Sequence, residues 1–403
     1  MTMTGYEACV RCGLCLPSCP TYVETLTETS GPRGRIALIK AVDQGDLDLL
    51  SPGFVEQMSQ CLDCRACEAV CPSGVPYGSM LEEMRARIEH ASAPSRPPLA
   101  RGMRALLLDW LFARPQRLRT VARLLRFAQR SGLMHVAALA GLGDAAKLAP
   151  QIPDRFFIAS DQRYDVSNAA GTALLHAGCV MHVAFPNVHE ATIRMLNRAG
   201  LRVVVPRAQG CCGAIAIHAG EDDFARALAK VNIAAFERSG ADVYVVNAAG
   251  CGSALKEYGT LLADDPAWHA RASAFASRVR DITEVLDAMD LAPPASKLEL
   301  HVTYQEPCHL VHAQRVSAAP RRLLAKIPGL TLIEMNESAM CCGSAGIYNL
   351  TEPEMAQRLQ QRKIANIEAT GAPIVVTANP GCALQVAAGL RDAKNDARVV
   401  HIV

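Results

Sequence analysis

Cys9-Val-Arg-Cys12-Gly-Leu-Cys15-Leu-Pro-Ser-Cys19-Pro20 recurs, with identical spacing, as Cys61-Leu-Asp-Cys64-Arg-Ala-Cys67-Glu-Ala-Val-Cys71-Pro72. Each copy is a C-x2-C-x2-C-x3-C-P run. Three closely spaced thiolates can reach three iron corners of one cubane cluster, and the proline turns the fourth thiolate toward the other cube. The spacing therefore predicts two [4Fe–4S] clusters. Cys9, Cys12, Cys15 and Cys71 hold one, and Cys61, Cys64, Cys67 and Cys19 hold the other. Four-cysteine zinc sites are the competing use of such thiols, but they usually show C-x2-C pairs rather than triplets. Between the runs, residues 36–42 and 54–60 read as short helices separated by Gly- and Pro-containing turns. A small helical two-cluster domain is expected, because a compact β-type ferredoxin has much less chain between its motifs. The insertion also carries Gly31-Pro-Arg-Gly-Arg35. Its two arginines either neutralise the clusters and hydrogen-bond near their sulfurs, which raises reduction potential, or form a solvated basic turn.

The chain has 403 residues and 16 cysteines. The other eight are Cys179, Cys211, Cys212, Cys251, Cys308, Cys341, Cys342 and Cys382, and none lies between Pro72 and Gly178. They form a second internal repeat: Cys179 to Cys308 is an offset of 129, Cys211 to Cys341 of 130, and Cys251 to Cys382 of 131. The flanks match too, Gly210-Cys-Cys-Gly213 against Met340-Cys-Cys-Gly343. So small a drift over that length marks a duplicated domain. In the first copy, strands are expected at 172–176, 201–205 and 242–246, with helices at 188–199 and 222–239. In the second, strands fall at 299–304, 330–333 and 374–377, with a helix at 354–369. All four thiols of each copy then follow strand ends, where an open parallel sheet forms its ligand crevice. Each set is a candidate for a further iron–sulfur cluster, for zinc, or for a redox pair at the vicinal thiols. The nearby His176, His182, His218 and His309 read as ordinary polar residues without a metal role.

Half the residues are hydrophobic and a fifth are charged, so a packed globular protein is expected rather than a disordered one. The net charge of +2 argues against a nucleic-acid binder. No secretory signal or membrane-spanning run of about 18 apolar residues is visible, so a cytoplasmic protein with reduced thiols is expected. Residues 91–98 read as a linker. Beyond it, residues 101–130 carry eight arginines against the single acid Asp109, a local net of +7. Leu106, Leu107, Trp110, Leu111, Leu118, Val121 and Leu125 are interleaved, and Pro115 should split the segment into two helices. Such a pair suits an anionic membrane surface or an acidic partner, or is a plain connector with a solvated basic face. The chain shows no G-x-G-x-x-G after a strand, no G-x4-G-K-[ST], no H-E-x-x-H and no convincing nucleophile–base pair. No catalytic residue is assigned. The sequence carries single electrons, and any two-electron donor belongs to another chain.

Over nearly its whole length the sequence resembles the iron–sulfur subunits of bacterial glycolate oxidase. The resemblance rests on the twin cluster motifs, Gly31-Pro-Arg-Gly-Arg-Ile36, Cys71-Pro-Ser-Gly-Val-Pro-Tyr77 and the two Cys-Cys-Gly domains. Iron–sulfur subunits of anaerobic glycerol-3-phosphate dehydrogenase and of lactate-oxidising complexes share this organisation. The Cys-Cys-Gly domains also resemble those of heterodisulfide reductase. The resemblance implies a multidomain α+β chain: a helical ferredoxin-type domain (1–90), a linker and basic connector (91–165), and two duplicated α/β Cys-Cys-Gly domains (166–292 and 293–403). It implies partner subunits bearing FAD that oxidise glycolate to glyoxylate. Electrons would pass through the two clusters here to a quinone, with the protein peripheral on the inner face of the cytoplasmic membrane. The alternatives are a lactate- or glycerol-3-phosphate-oxidising complex, or a thiol–disulfide reductase. Two departures stand out. Heterodisulfide reductase domains end in C-x2-C, but Ala254 and Gln385 occupy the last position here, leaving four thiols per set. The first repeat also continues into residues 281–290, whereas the second stops at residues 399–403.

Overall fold

In the computed structural model, which describes residues 5–99, 102, 106, 111, 114–134, 149–289 and 291–403, the N-terminal thiols sit in a purely helical unit. Its helices are Pro20–Thr25, Pro32–Gln44, Pro52–Ser59, Ala66–Ala69 and Tyr77–Ser92. Three of them open on proline, whose fixed φ and missing N–H suit a first helical turn. Ile36, Ile39, Val42, Phe54, Met58, Leu81 and Met84 form the core of this unit. The two expected short helices are present, the first extended at both ends to Pro32–Gln44 and the second shifted upstream to Pro52–Ser59, each beginning at a proline.

Two parallel α/β layers follow. Strands β1 (Arg163–Tyr164), β2 (Gly171–Leu175), β3 (Leu201–Val204), β4 (Val243–Val246) and β5 (Val279–Asp281) form the first sheet, in the order β1-β3-β2-β4-β5. Only β1 is antiparallel. The second sheet, β6 (Leu300–Tyr304), β7 (Leu330–Ile333), β8 (Ile374–Thr377) and β9 (Arg398–His401), runs in the order β7-β6-β8-β9 and is all parallel. The duplication extends to register: Gly171 pairs with Leu201 as Leu300 pairs with Leu330, and Ala173 with Val243 as Val302 with Ile374. Central strands are continuous apolar runs, Ala173-Leu-Leu175 and Tyr244-Val-Val246, because helices cover both faces. The helix Ile282–Ala288 follows β5.

The basic connector is only partly described. Leu107, Asp109 and Trp110 lie outside the described residues. A helix does start at Pro115 and runs to Ser131, burying Leu118 and Ala122 against the first sheet domain. Its opposite side exposes Val121, Leu124 and Phe127, at the three-residue spacing of one helical face.

The strand ends of the first domain are pinned by His189, on the helix Pro186–Arg198. Its Nε2 donates to the Ala177 carbonyl at 3.0 Å, while Nδ1 accepts from Asn247 Nδ2 at 3.1 Å. This fixes the loop after β2 that leads to Cys179 and the turn after β4 that leads into the helix Ala249–Lys256, which carries Cys251. The ring is fully buried, and burial pushes its pKa down to about 3. The native imidazole is therefore neutral, while the unfolded one takes a proton below about pH 6.5. Its stabilisation is complete above that pH and is lost as pH falls toward 3. Denaturant unfolding should show roughly 3 kcal/mol of stability lost through this group between pH 7 and pH 4. His189→Gln, which keeps a donor, should flatten that acid limb.

Candidate metal centres

The N-terminal thiols are gathered around two adjoining cavities. Cys9, Cys12, Cys15 and Cys71 line the first, with Cys67 on its wall. Cys19, Cys61, Cys64 and Cys67 line the second. The chain crosses over after each triplet, so Cys19 leaves its own run for the second cavity and Cys71 for the first. Matching backbone turns hold both loops. Arg11 (φ 55°) and Gly13 (φ 83°) are left-handed in the first, as are Asp63 (φ 51°) and Arg65 (φ 61°) in the second. All 16 thiols are free. Burial pushes the Cys64 and Cys67 thiols well above their ordinary range, followed by the neighbouring Cys308 and Cys64 sulfurs respectively. A metal bound there displaces those protons.

The two arginines of the Gly-Pro-Arg-Gly-Arg segment part company. Arg33 is half-exposed on the wall of the first cavity, paired with Glu28 and donating to the Arg11 carbonyl at 3.1 Å. Arg35 is 1% exposed and lines the second cavity. It donates to the Gln57 carbonyl at 2.7 Å and to Thr21 Oγ1 at 3.0 Å, and its remaining terminal nitrogen has no partner. A buried guanidinium without a carboxylate is costly unless negative charge lies nearby. Here that charge comes from sulfur: burial opposes the Arg35 cation, and Cys61 leads the groups that restore it, followed by Tyr77 and Cys19. Tyr77 also donates its hydroxyl to Cys61 Sγ at 3.5 Å. Converging thiols beside an uncompensated buried cation fit the net negative charge of a thiolate-bound iron–sulfur cluster.

The loop between Cys61 and Cys67 is wedged into both sheet domains. Arg65, 5% exposed, reaches Asp63 at 2.9 Å, Glu82 at 2.6 Å, and Glu68 and Glu257 at 3.4 Å. Its guanidinium lies against Gly78, where any Cβ would stand 1.9 Å from it. Asp63 also meets His218 Nδ1 of the first sheet domain at 3.3 Å, and its carbonyl accepts from His309 Nε2 of the second at 2.9 Å. The two imidazoles stack at 5.4 Å. Burial raises the Asp63 carboxyl, but Arg65 first, then His218 and Arg85, hold it well below the usual carboxylate range. Arg315 and Tyr348 of the second domain add bonds to the carbonyls of Glu68, Ala69 and Gln60.

The two Cys-Cys-Gly sets face each other. The loop before Cys251 is bonded to the loop before Cys382: Ala249 N–H donates to the Ala378 carbonyl and Gly250 N–H to Asn379 Oδ1, each at 3.1 Å. His401 Nε2 donates to the Asn247 carbonyl at 2.9 Å. All eight thiols consequently line one shared cavity of about 220 Å³. Leu62, from the second N-terminal motif, lines both this cavity and its own. Within the first set, hydrogen bonds from Cys179 and then Cys212 hold Cys211 well below its ordinary pKa. In the second, Cys341 and Cys382 do the same to Cys342. The vicinal peptide of the first set is clamped: Asn232 Nδ2 donates to the Cys211 carbonyl at 2.8 Å and the Tyr258 hydroxyl to that of Cys212 at 2.9 Å.

The structure thus brings together all eight N-terminal thiols as two adjoining sets, and the other eight as one facing pair. Sequence reasoning missed the Asp63–Arg65 wedge and the position of His176. A ring nitrogen of His176 and the sulfurs of Cys212 and Cys251 all lie within 4.8 Å of one another. The available signal was the alignment of the repeats, which sets His176 opposite Gln305.

A 4Fe-4S dicluster domain profile matches residues 5–75, and a cysteine-rich domain profile matches 173–256 and 302–387. A profile for the glycolate oxidase iron-sulfur subunit linker region matches 99–151. The chain is 40% identical to a probable glycolate oxidase iron-sulfur subunit of Bacillus subtilis (strain 168), covering 98% of this chain and 91% of that one. It is 32% identical to the glycolate oxidase iron-sulfur subunit of Escherichia coli (strain K12), over 96% of this chain and 90% of that one. Lactate utilization protein A of an Exiguobacterium species is 28% identical over 57% of this chain and 94% of its own.

The Cys-Cys-Gly glycines adopt φ of 83° at Gly213 and 87° at Gly343, which turns each vicinal pair into its cavity. A Cβ on Gly343 would also stand 2.6 Å from the Ala356 carbonyl, whereas one on Gly213 would meet Ala225 at an ordinary 3.5 Å. Gly213→Ala should cost about 1–2 kcal/mol from the left-handed backbone alone. Gly343→Ala should cost about 1–3 kcal/mol more from the clash. Thermal unfolding of the two variants measures the difference.

Proposed function

The chain belongs to the family of glycolate oxidase iron–sulfur subunits, and from that premise we propose that it relays electrons from flavin-bearing partner subunits, which oxidise glycolate to glyoxylate, toward a membrane quinone. An iron–sulfur electron-transfer role within an oxidoreductase complex is common ground with its relatives. The observation that carries the finer reading is the row of adjoining thiol sets. The first cavity shares Cys67 with the second, and the second shares Leu62 with the paired Cys-Cys-Gly cavity. In this reading Cys9, Cys12, Cys15 and Cys71 hold one [4Fe–4S] cluster, and Cys19, Cys61, Cys64 and Cys67 hold the other. The Cys-Cys-Gly thiols hold a further metal centre. Bound there, the clusters supply one-electron acceptors and donors for a two-electron flavin.

The residues of the chain set the ends and the bias of the relay. Cys12 is exposed, and Val10 and Leu14 beside it are 69% and 60% exposed, an apolar rim suited to the FAD-bearing subunits. The second set is sealed by protein, and Arg35 favours its more negative, reduced state. FAD itself belongs to the partners, since this chain offers no dinucleotide fingerprint. No helix among the described residues is long and apolar enough to cross a membrane. Contact with the inner face of the cytoplasmic membrane falls instead to Val121, Leu124 and Phe127, flanked by the arginines of their helix.

Protein purified without oxygen should contain about eight irons from the N-terminal sets, before any in the Cys-Cys-Gly sets. Cys12→Ser and Cys64→Ser should each remove about four, from different clusters. Zinc in place of iron contradicts the relay. Co-purification should yield flavin subunits and glycolate-dependent dye reduction, and lactate-dependent reduction instead would reassign the donor. Replacing Leu124 and Phe127 together with Ser should weaken binding to anionic vesicles about tenfold or more, as the loss of two buried apolar side chains implies. Sedimentation with phosphatidylglycerol vesicles measures that.

A further inference from the structure

His176 and its counterpart in the repeat have diverged in a way that the fold alone does not demand. His176 follows β2 by one residue and is 2% exposed. Its Nδ1 is engaged by the Tyr244 hydroxyl at 2.7 Å, and its Nε2, buried, has no hydrogen-bond partner. Such an atom is normally satisfied in a folded protein. The groups around it are sulfurs, with Cys212 and Cys251 inside the 4.8 Å cluster. Ligand atoms of a tetrahedral site with bonds of about 2.0–2.3 Å stand roughly 3.5–4 Å apart, so a small closing movement completes coordination. Tyr244 has the role usual for a partner behind a metal-bound imidazole: it holds the ring so that the other nitrogen faces the metal.

In the second repeat, by the offset of 129 that relates Cys179 to Cys308, Gln305 stands in place of His176. The strand registers place Val375 opposite Thr303 where Tyr244 lies opposite Leu174. Gln305 is spent on structure: its Nε2 donates to the Glu306 carbonyl at 2.8 Å and its Oε1 accepts from Thr377 at 2.6 Å. Ligand and supporting hydroxyl have therefore gone together. A third position has diverged as well. The helices Asp222–Ser239 and Pro353–Glu368 align Asn232 with Lys363. Lys363 is 2% exposed, and its Nζ donates to the carbonyls of Glu337 at 2.6 Å and Ser338 at 3.1 Å. The second set thus has a buried cation where the first has a neutral amide.

We infer that His176 is a metal ligand of the first Cys-Cys-Gly set, its Nε2 joining sulfurs of that set that include Cys212 and Cys251. The second set binds through sulfur alone, with Lys363 as its countercharge. This rests on reading the Cys-Cys-Gly thiols as metal sites. The first site supplies nitrogen where its fifth thiol is absent, and takes a zinc ion or the iron of a cluster, both of which accept thiolate and imidazole together. Neutral nitrogen in place of thiolate leaves that site less negative, as it does in histidine-bound iron–sulfur centres of raised potential. The second site reaches the same end with an ammonium.

The test uses full-length protein carrying 15N-histidine, purified without oxygen. Metal and sulfide are counted, and nitrogen at the metal is read by pulsed EPR for reduced iron and by zinc-edge X-ray absorption for zinc. Expected is one histidine nitrogen on a metal beyond the N-terminal irons, lost in His176→Gln and retained in His182→Gln. Thermal unfolding and the count of about eight N-terminal irons check that His176→Gln stays folded. A metal there with sulfur ligands only, or a nitrogen signal surviving in His176→Gln, overturns the inference and leaves the metal-site reading standing. No iron beyond the N-terminal clusters and no zinc overturns both.

Discussion

A buried ion cluster around Arg65 holds the three folded units together. Arg65 sits inside the second cysteine run, in a left-handed conformation that its counterpart Gly13 adopts without strain. The strained residue is kept there by Asp63, Glu82, Glu68 and Glu257, the last from the first sheet domain. Asp63 extends the network to His218, and its carbonyl extends it to His309. Buried ion pairs contribute little net stability, because desolvation offsets their attraction. They discriminate strongly against wrong arrangements, since any other docking would leave several charges buried and unpaired. Here that selectivity is applied to the loop that carries three thiols of the second set. The distance from that set to the Cys-Cys-Gly cavity is thereby part of the fold, with Leu62 between them.

Duplication built the paired cavity, and divergence has made its halves unlike. The registers of the two sheets coincide residue for residue, so the thiols arrive by the same geometry twice. What differs is the lining behind them: His176, Tyr244 and Asn232 on one side, Gln305, Val375 and Lys363 on the other. Those substitutions change charge and donor type while the strand register is kept. Two sites facing one cavity with different electronic character give a relay an intrinsic direction, which two identical sites would lack.

Local spacing made much of this legible in advance. Metal-ligand runs are short-range patterns, and the crossing of Cys19 and Cys71 follows from the proline after each run. The sheet strands were readable because both faces are covered, leaving uninterrupted apolar segments. The junction was not readable. Asp63 and Arg65 lie far in sequence from His218 and His309, and all four look like ordinary surface residues until folding buries them together. Arg35 was half legible: its segment stood out, but only burial separates it from Arg33. On the connector, Leu118 and Leu125 belong to the packed side of their helix. The stripe left in solvent, Val121, Leu124 and Phe127, needed the structure to expose it.

Cys67 stands on the wall of both N-terminal cavities, which puts the two proposed four-iron clusters side by side. EPR of the fully reduced protein tests it most directly. Neighbouring paramagnetic clusters should give a spin-coupled, broadened spectrum integrating to about two spins per chain, one for each N-terminal cluster. A single sharp signal of one isolated cluster, or two uncoupled signals, would contradict the account.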